Sequence, residues 1–190
     1  MRKKELRKLY LEKRQALSEG EYLQLNYLIT EMFFAHVDLS FISVLHTFLP
    51  IEKNKEPNTW PIVDRIRREF PQVRISIPRV NQNLRELENF YFEGLHQLSE
   101  NIWGIPEPRQ GIPTPSEKID MVLVPLLVFD ETGHRVGYGK GFYDKFLQTC
   151  KSGTKRIGIS LFPPITSIDD ADTYDQRLTK AVTPYEIVTF

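Results

Sequence analysis

Residues 120–144 have the sequence DMVLVPLLVFDETGHRVGYGKGFYD, in which an apolar run is followed by a turn and then by a glycine-rich loop. The run Asp120–Pro125 is short and apolar, which is typical of a buried strand. Gly137, Gly139 and Gly141 follow at alternate positions, and a helix is predicted to begin after the last of them. A strand, a glycine loop and a helix in this order favour an α/β fold.

The glycine loop has the chemistry of a phosphate site. Glycines let backbone N–H groups approach a phosphate, and a helix start adds unpaired N–H donors and a positive dipole end. Arg135 and Lys140 add positive charge, and Asp144 is suited to the magnesium ion that accompanies a nucleotide. The spacing Gly-x-Gly-x-Gly differs from both the dinucleotide motif and the P-loop. By spacing alone a packing turn is an equal alternative, and the neighbouring charges favour phosphate.

The rest of the chain alternates predicted helices and strands. Apolar spacing predicts helices in the first 36 residues, and Ser18 with Glu21 predicts a capping box that opens the second helix. Further strands are predicted at Phe41–Phe48, Val73–Ile77, Leu87–Phe92, Lys155–Ser160 and Val182–Val188, with a helix from Asn58 or Thr59 to about Phe70 and a shaped loop at Trp103–Pro115. This alternation predicts a largely parallel sheet in one domain, residues 1–190.

Composition limits the classes of protein that fit. The chain has 190 residues, and its 25 basic and 25 acidic side chains cancel, which gives no signal for nucleic acid or membrane binding. Cys150 is the only cysteine, so a disulfide within the chain and a cysteine metal site are excluded. The first residues lack the apolar core of a signal peptide, and no apolar run approaches the length of about 20 residues that a membrane helix needs. We expect a cytoplasmic protein.

Three further groups of residues are candidates for the site. Seven basic residues lie among the first 14, and on a helix Lys3, Arg7 and Arg14 share a face that would reach a polyphosphate. The pattern alone favours a solvated basic face. Residues 169–175 contain four aspartates, one of which would join Asp144 at a metal ion, although an acidic surface loop is the simpler interpretation. Trp103 would stack on a flat heterocycle or close the core.

Together these segments resemble the 5-formyltetrahydrofolate cyclo-ligase family, also called 5,10-methenyltetrahydrofolate synthetase, over nearly the whole chain. The matching segments lie in the family's order: Lys3-x-x-Leu6-Arg7 with Arg14-x-Ala16-Leu17, Phe48-Leu49-Pro50 with Glu56-Pro57-Asn58-Thr59, Trp103-x-Ile105-Pro106-Glu107-Pro108, Asp120–Pro125 with Arg135–Asp144, and Tyr174-Asp175 with Leu178 and Val182-Thr183. The glycine loop is the most specific of them.

The resemblance implies a fold and a reaction. The fold is a three-layer α/β/α sandwich with a mostly parallel central sheet, similar to the sugar-phosphate isomerase and CoA transferase-like fold. The reaction is the ATP-dependent cyclisation of 5-formyltetrahydrofolate to 5,10-methenyltetrahydrofolate, with release of ADP and phosphate, in one-carbon metabolism. It implies ATP as co-substrate, Mg²⁺ as cofactor, and small molecules as the partners of a protein that we expect to be a monomer.

The resemblance also implies roles for individual residues. The residues expected to contact ATP are Lys3, Lys4, Arg7, Arg14, Arg135, Val136, Gly137, Tyr138, Gly139, Lys140, Gly141, Phe142 and Tyr143, with Lys140 and Arg7 as the catalytic charges. The residues expected to line the folate pocket are Leu49, Glu56, Trp103, Tyr138, Gly139, Lys140, Gly141 and Phe142, and the expected metal ligands are Asp144 and Asp175.

The sequence departs from the family pattern on the folate side. Phe142 stands where the family often has tyrosine, so an aromatic face remains without its hydroxyl. The interval from Pro50 to Glu56 is longer than in shorter bacterial members, which leaves Glu52 as a competitor of Glu56 for the substrate-contacting acid. Two other functions stay open, a non-catalytic folate or nucleotide-binding module and an ATP-dependent ligase for another formyl substrate.

Overall fold

The computed structural model describes residues 1–101 and 104–190. The helices in these ranges are α1 (Lys3–Ala16), α2 (Glu19–His36), α3 (Trp60–Glu69) and α4 (Phe142–Thr149). The strands are β1 (Val44–His46), β2 (Arg74–Asn81), β3 (Glu86–Tyr91), β4 (Leu98–Glu100), β5 (Pro106–Pro108), β6 (Met121–Pro125), β7 (Val128–Phe129), β8 (Arg135–Val136), β9 (Lys155–Ile159), β10 (Lys180–Val182) and β11 (Ile187–Thr189). No helix in these ranges has the length and apolar character needed to cross a membrane.

The central sheet has the strand order β11-β10-β9-β6-β1-β2-β3. Strands β10, β9, β6, β1 and β2 are parallel, and the edge strands β3 and β11 pair antiparallel with their neighbours. The chain begins the sheet at β1, extends it on one side with β2 and β3, and later adds β6 on the other side. The strand order therefore reverses between β1 and β6, and open α/β sheets bind ligands beyond the carboxyl ends of strands at such a point.

The alternation of side chains along β6 separates two hydrophobic layers. Met121 and Leu123 pack with residues of α2 and α3 on one face of the sheet. Val122 and Val124 pack with Phe146 of α4 on the other face. Both sets are buried because successive side chains of a strand point to opposite faces. The result is the predicted mostly parallel sheet between two helical layers.

Helix α1 packs against the hairpin of β7 and β8. Its Leu6 and Tyr10 are buried with Leu127, Val128 and Val136. Because β8 leads directly into the glycine loop, this small cluster holds α1 beside that loop. The basic face of α1 is therefore fixed next to the loop by apolar packing.

Most of the predicted elements are confirmed, and the differences have local causes. The Ser18–Glu21 capping box begins α2, with the Ser18 hydroxyl accepting from the Glu21 amide at 3.2 Å. The predicted strand Phe41–Phe48 is shorter, Val44–His46, because a turn closes before it, with the Ile42 amide donating to the Leu39 carbonyl at 3.1 Å.

The prediction of one last strand at Val182–Val188 was wrong, because this segment contains the end of β10, a turn and the start of β11. The chain reverses there, and β10 and β11 pair antiparallel across a turn. The Thr183 hydroxyl stabilises this turn by accepting from the Glu186 amide at 3.0 Å. The predicted loop Trp103–Pro115 also contains β5, which pairs with β4 as a two-stranded sheet.

Candidate active site

The candidate site lies beyond the carboxyl ends of β1 and β6, where the strand order reverses. Leu49 follows β1 and is buried, and Leu126 follows β6. The glycine loop, residues 137–141, comes back over this edge from β8 and leads into α4. The topology therefore brings the predicted phosphate loop and the predicted folate-side residue Leu49 to one end of the sheet.

Two glycines of the loop have backbone conformations that other residues rarely adopt. Gly139 has φ +83° and Gly141, the residue that caps α4, has φ +73°. A Cβ atom on Gly139 would lie 3.0 Å from the Arg7 guanidinium carbon. Arg7 is held there because its Nε donates to the Gly137 carbonyl at 2.8 Å. The glycines therefore allow both the curvature of the loop and the close approach of a cation.

The structure brings Arg7 to the loop and pairs Lys3 with Asp175, and it leaves two other cations free. Lys140, in the loop, and Lys4, on α1, are exposed, and neither has a hydrogen-bond or ion-pair partner in the described parts of the chain. Phe142 and Tyr143 form the first turn of α4, so their amides are among the unpaired donors of a helix start. This end of α4 combines amide donors with positive side chains, which suits a polyphosphate.

The two predicted metal ligands are anchored to neighbouring positions of one turn. Asp144 Oδ1 accepts from the amide of Gln176 at 3.0 Å, and Gln176 follows Asp175 directly. Asp175 Oδ2 accepts from the Asp172 amide at 2.7 Å and from Lys3 Nζ at 2.5 Å. The second oxygen of each carboxylate, Asp144 Oδ2 and Asp175 Oδ1, makes no hydrogen bond within residues 1–101 and 104–190.

This arrangement fits magnesium better than a metal held by protein alone. No group of three or more metal-binding side chains exists in the described ranges. Mg²⁺ is commonly bound by one or two carboxylates together with substrate phosphates and water. Asp144 and Asp175, each with a free oxygen, provide that number of ligands.

Two predicted phosphate contacts are placed differently from expectation. Arg135 is 8% exposed, and its guanidinium donates to Asp144 Oδ1 at 2.9 Å and to the Gln176 carbonyl. Arg14 is 1% exposed and donates to the Leu126 carbonyl. Both guanidinium groups are therefore occupied by hydrogen bonds to protein acceptors, because a buried guanidinium is stable only when such acceptors replace water. Arg135 orients the Asp144 carboxylate and therefore supports the site without facing the phosphates.

Glu56 and Glu52 have contrasting environments. Glu52 is exposed at the start of a short 3₁₀ turn, whereas Glu56 is 3% exposed. The Glu56 carboxylate accepts from the Ile51 amide at 2.8 Å, and its backbone carbonyl accepts from the Tyr22 hydroxyl at 2.6 Å. Burial raises the pKa of Glu56, while a hydrogen bond from Tyr138 and the charge of Arg14 lower it. Of the two acids, Glu56 is the one built into the interior of the site.

Buried polar atoms without partners mark the same region. Tyr143 Oη and Arg14 Nε are both buried without a hydrogen bond in the described chain. Burial also raises the pKa of Tyr143, with the Glu56 charge as the next cause. Buried polar groups are paired in most proteins, so the unpaired Tyr143 hydroxyl is a candidate contact for a ligand.

A second cleft, of about 500 Å³, opens between β3 and α4. Its lining includes Arg79, Glu88 and Lys145. Arg79 and Glu88 neutralise each other at 2.6 Å, and Lys145 points to the Arg85 carbonyl at 3.4 Å. The glycine-loop end is therefore the better phosphate site, because Lys140 is exposed there without a partner in the described chain.

Several contributors escaped the sequence analysis. Asp170 accepts from the Lys3 amide at 2.6 Å, Gln176 anchors Asp144, and Tyr22 anchors Glu56. Asp170 lies 167 residues from its partner, and Gln176 contacts Asp144 and Arg135 through its backbone, so no local pattern identifies either role. The predicted pocket residue Trp103 lies outside the described residues.

Comparison with known proteins identifies the family of the chain. The chain matches the 5-formyltetrahydrofolate cyclo-ligase family over residues 1–183. It is 32% identical to a probable 5-formyltetrahydrofolate cyclo-ligase of Schizosaccharomyces pombe, over 70% of this chain and 72% of that protein. It is 29% identical to the 5-formyltetrahydrofolate cyclo-ligase of Mus musculus, over 78% of this chain and 74% of the mouse protein.

A solved structure also matches over the full length. The Aquifex aeolicus 5,10-methenyltetrahydrofolate synthetase superposes with a TM-score of 0.83 at 25% identity, over 100% of this chain and 93% of that chain. The resemblance noted in the sequence is therefore confirmed at the level of family and fold. The chain belongs to the 5-formyltetrahydrofolate cyclo-ligase family.

Proposed function

We propose that this protein uses ATP to cyclise 5-formyltetrahydrofolate to 5,10-methenyltetrahydrofolate, releasing ADP and phosphate. The observation that carries the proposal is the meeting of α1, the glycine loop and the 172–176 turn at the sheet edge where the strand order reverses. There Lys3 and Arg7 lie beside Asp144 and Asp175. A site with free amides, cations and two carboxylates suits a magnesium nucleotide.

The ATP phosphates would lie against the glycine loop. In this proposal the amides of residues 136–143 and the side chains of Lys3, Lys4, Arg7 and Lys140 bind the phosphates. Lys3 is paired with Asp175, and a phosphate would compete for that ammonium group. Arg135 supports the site indirectly by orienting Asp144.

Magnesium would be held by the free oxygens of Asp144 and Asp175, with phosphate oxygens and water completing its shell. When bound, the ion neutralises charge on the phosphates. The anchoring of Asp144 by Arg135 and of Asp175 by the Asp172 amide fixes both carboxylates before the nucleotide arrives.

The formyl substrate would lie between the glycine loop and the end of β1. Leu49, Glu56, Tyr138 and Phe142 would line this pocket, and the unpaired Tyr143 hydroxyl gives it a further polar group. Trp103 remains a predicted stacking residue. Phe142 offers an aromatic face without a hydroxyl, so the polar contacts fall to Glu56, Tyr138 and Tyr143.

The chemistry follows from the weakness of an N-formyl amide as an electrophile. The formyl oxygen attacks the γ-phosphorus, the bond from phosphorus to the bridging oxygen of ADP breaks, and a phosphorylated imidate forms. N10 then attacks the formyl carbon, loses its proton and closes the five-membered ring, and phosphate leaves with the former formyl oxygen. The protein aligns the reactants and stabilises charge, for which we propose Lys140 and Arg7.

The experiment that tests this function is a measurement of ADP release by the purified protein. We expect ADP to form only when ATP, Mg²⁺ and 5-formyltetrahydrofolate are all present. Ligand binding without ADP release would instead support a non-catalytic binding module. ADP release with simple N-formyl amides at equal efficiency would support a ligase for another formyl substrate. A single catalytic domain over residues 1–190, a monomeric state and a cytoplasmic location stay predictions.

A further inference from the structure

Arg14 occupies an unusual position for a residue of a basic helix face. It lies near the end of α1 and is 1% exposed, whereas Lys3 and Arg7 in the first half of the helix are half-buried. Arg7 contacts the loop, and Lys3 contacts Asp175. Its guanidinium donates to the Leu126 carbonyl and, at 3.3 Å, to the Tyr138 hydroxyl. A charge buried to this degree requires acceptors fixed in place, so its neighbours are constrained by it in turn.

The Tyr138 hydroxyl connects Arg14 to Glu56. The Tyr138 side chain also lies near the Glu56 carboxylate and lowers its pKa, and the Glu56 charge acts on Arg14 as well. The Glu56 carboxylate also accepts from the Ile51 amide, and its backbone carbonyl accepts from the Tyr22 hydroxyl. The three side chains thus connect α1, the glycine loop and the segment after β1.

We propose that Arg14 is a positioning residue for the formyl substrate. It fixes Tyr138 and Glu56 in the pocket and does not contact the ATP phosphates. This inference rests on the function proposed above. It assigns different roles to the basic residues at the two ends of α1. Arg7 and Arg14 are two turns apart, about 10 Å along the axis, so one rigid helix serves the nucleotide at one end and the formyl substrate at the other.

The first test replaces Arg14 by lysine, which keeps a charge but cannot donate to two acceptors in a fixed fork. For R14K we expect the KM for 5-formyltetrahydrofolate to rise about tenfold or more, the effect of losing a hydrogen bond to a charged group. The Kd for ATP, measured by calorimetry without folate, should stay within about twofold of the wild type. R7A should show the reverse pattern, and K13A, which changes an exposed neighbour, should change neither constant.

A second variant keeps the inference testable if R14K does not fold, as judged by thermal melting. Y138F removes the shared hydroxyl from a half-buried residue of the loop. We expect it to raise the same KM. When R14K does fold, the effects of R14K and Y138F should be less than multiplicative in the double variant, because both act through one hydroxyl.

The pH profile separates positioning from a purely structural role. The groups that face Glu56 are Arg14 from α1, Tyr138 from the loop, Tyr22 from α2 and Tyr143 from α4. Y138F removes a hydrogen bond that lowers the pKa of Glu56. The acid limb of kcat/KM for the formyl substrate should therefore move to higher pH, with the ATP affinity unchanged.

Some outcomes would overturn the inference. A loss of ATP affinity in R14K that matches R7A, with the folate KM unchanged, would make Arg14 a phosphate ligand. Normal constants and an unmoved acid limb in Y138F would remove the role of the network. If the wild type itself makes no product, the proposed function fails, and calorimetry of 5-formyltetrahydrofolate binding to wild type and R14K then decides the positioning role by itself.

Discussion

The charged side chains of this site fall into two groups. Some donate hydrogen bonds to protein acceptors, and others are exposed to solvent. Arg14 and Arg135 are buried and donate to protein acceptors, and Lys140 is exposed without a partner in the described chain. Side-chain type did not separate these roles in the sequence, since all three are cations near the same loop. Burial separates them, because only an exposed and unpaired cation can bind a phosphate without first breaking a contact.

Lys140→Ala removes the free cation of the loop. We expect kcat to fall about 100-fold, because charge that stabilises a transition state is worth that much when a single donor is removed. Lys145→Ala is the matched control, since it removes an exposed lysine one turn into α4. Steady-state kinetics check the prediction, and near-normal turnover in Lys140→Ala would exclude the proposed catalytic role.

The burial of His46 predicts how the free energy of unfolding depends on pH. It is fully buried, which lowers its pKa from 6.5 to about 3, with a hydrogen bond to Asn89 opposing the shift. The unfolded chain therefore binds the proton more readily than the folded chain between these values. Stability contributed by neutral His46 is present above pH 6.5 and is lost as the pH falls towards 3.

The loss at pH 5 should be about 2 kcal/mol of unfolding free energy, at about 1.4 kcal/mol per pH unit. Urea unfolding at pH 7 and pH 5 measures it. His46→Gln should show a smaller fall between the two pH values than the wild type, and His96→Gln, at an exposed position, should behave as the wild type. An identical fall in wild type and His46→Gln would contradict the assignment.

Elements were predicted well where periodicity and caps decide them. The helices and the strand Asp120–Pro125 follow from apolar spacing and from the Ser18–Glu21 box. Asn26 shows the limit, because it is a buried polar residue on α2 that accepts from the Asn58 amide at 2.6 Å. Hydrophobic patterns cannot find such a residue, since its partner is 32 positions away.

The glycine loop makes a prediction at the scale of an element. Gly139→Ala should destabilise the protein by about 1–2 kcal/mol, the cost of a left-handed backbone for a residue with a Cβ atom. The added carbon would also displace Arg7, so ATP affinity should fall. Gly153→Ala is the control, because a Cβ there meets no atom within 4 Å. Chemical unfolding and calorimetry test both effects, and equal behaviour of the two variants would refute the argument.

Helix α1 depends on a cap from a distant loop. Its N-cap residue, Arg2, has no acceptor side chain of the usual kind, and Asp170 accepts from the Lys3 amide instead. Asp170→Ala should cost about 1 kcal/mol of stability and raise the KM for ATP, because the start of α1 at Lys3 loses its anchor. Asp170→Asn keeps an acceptor oxygen and should retain most of the affinity. An unchanged KM in Asp170→Ala would show that α1 is positioned by apolar packing alone.

Across the whole molecule, the site is assembled from segments that the sequence keeps far apart. Lys3 meets Asp175 across 172 positions, and Arg7 meets Gly137 across 130 positions. The sequence identified these residues by chemical type and family resemblance, but it could not show that Lys3 pairs with a predicted metal ligand or that Arg14 turns inward. Those facts depend on how α1 packs against the β7–β8 hairpin, which is a property of the complete fold.

The central claim is that this assembled site converts 5-formyltetrahydrofolate. The most direct measurement follows the absorbance of 5,10-methenyltetrahydrofolate after the purified protein is mixed with 5-formyltetrahydrofolate, ATP and Mg²⁺, with each component omitted in turn. We predict that the methenyl chromophore grows only in the complete mixture. Absence of the chromophore in the complete mixture, with ATP binding still detected by calorimetry, would keep the phosphate site and contradict the assigned reaction.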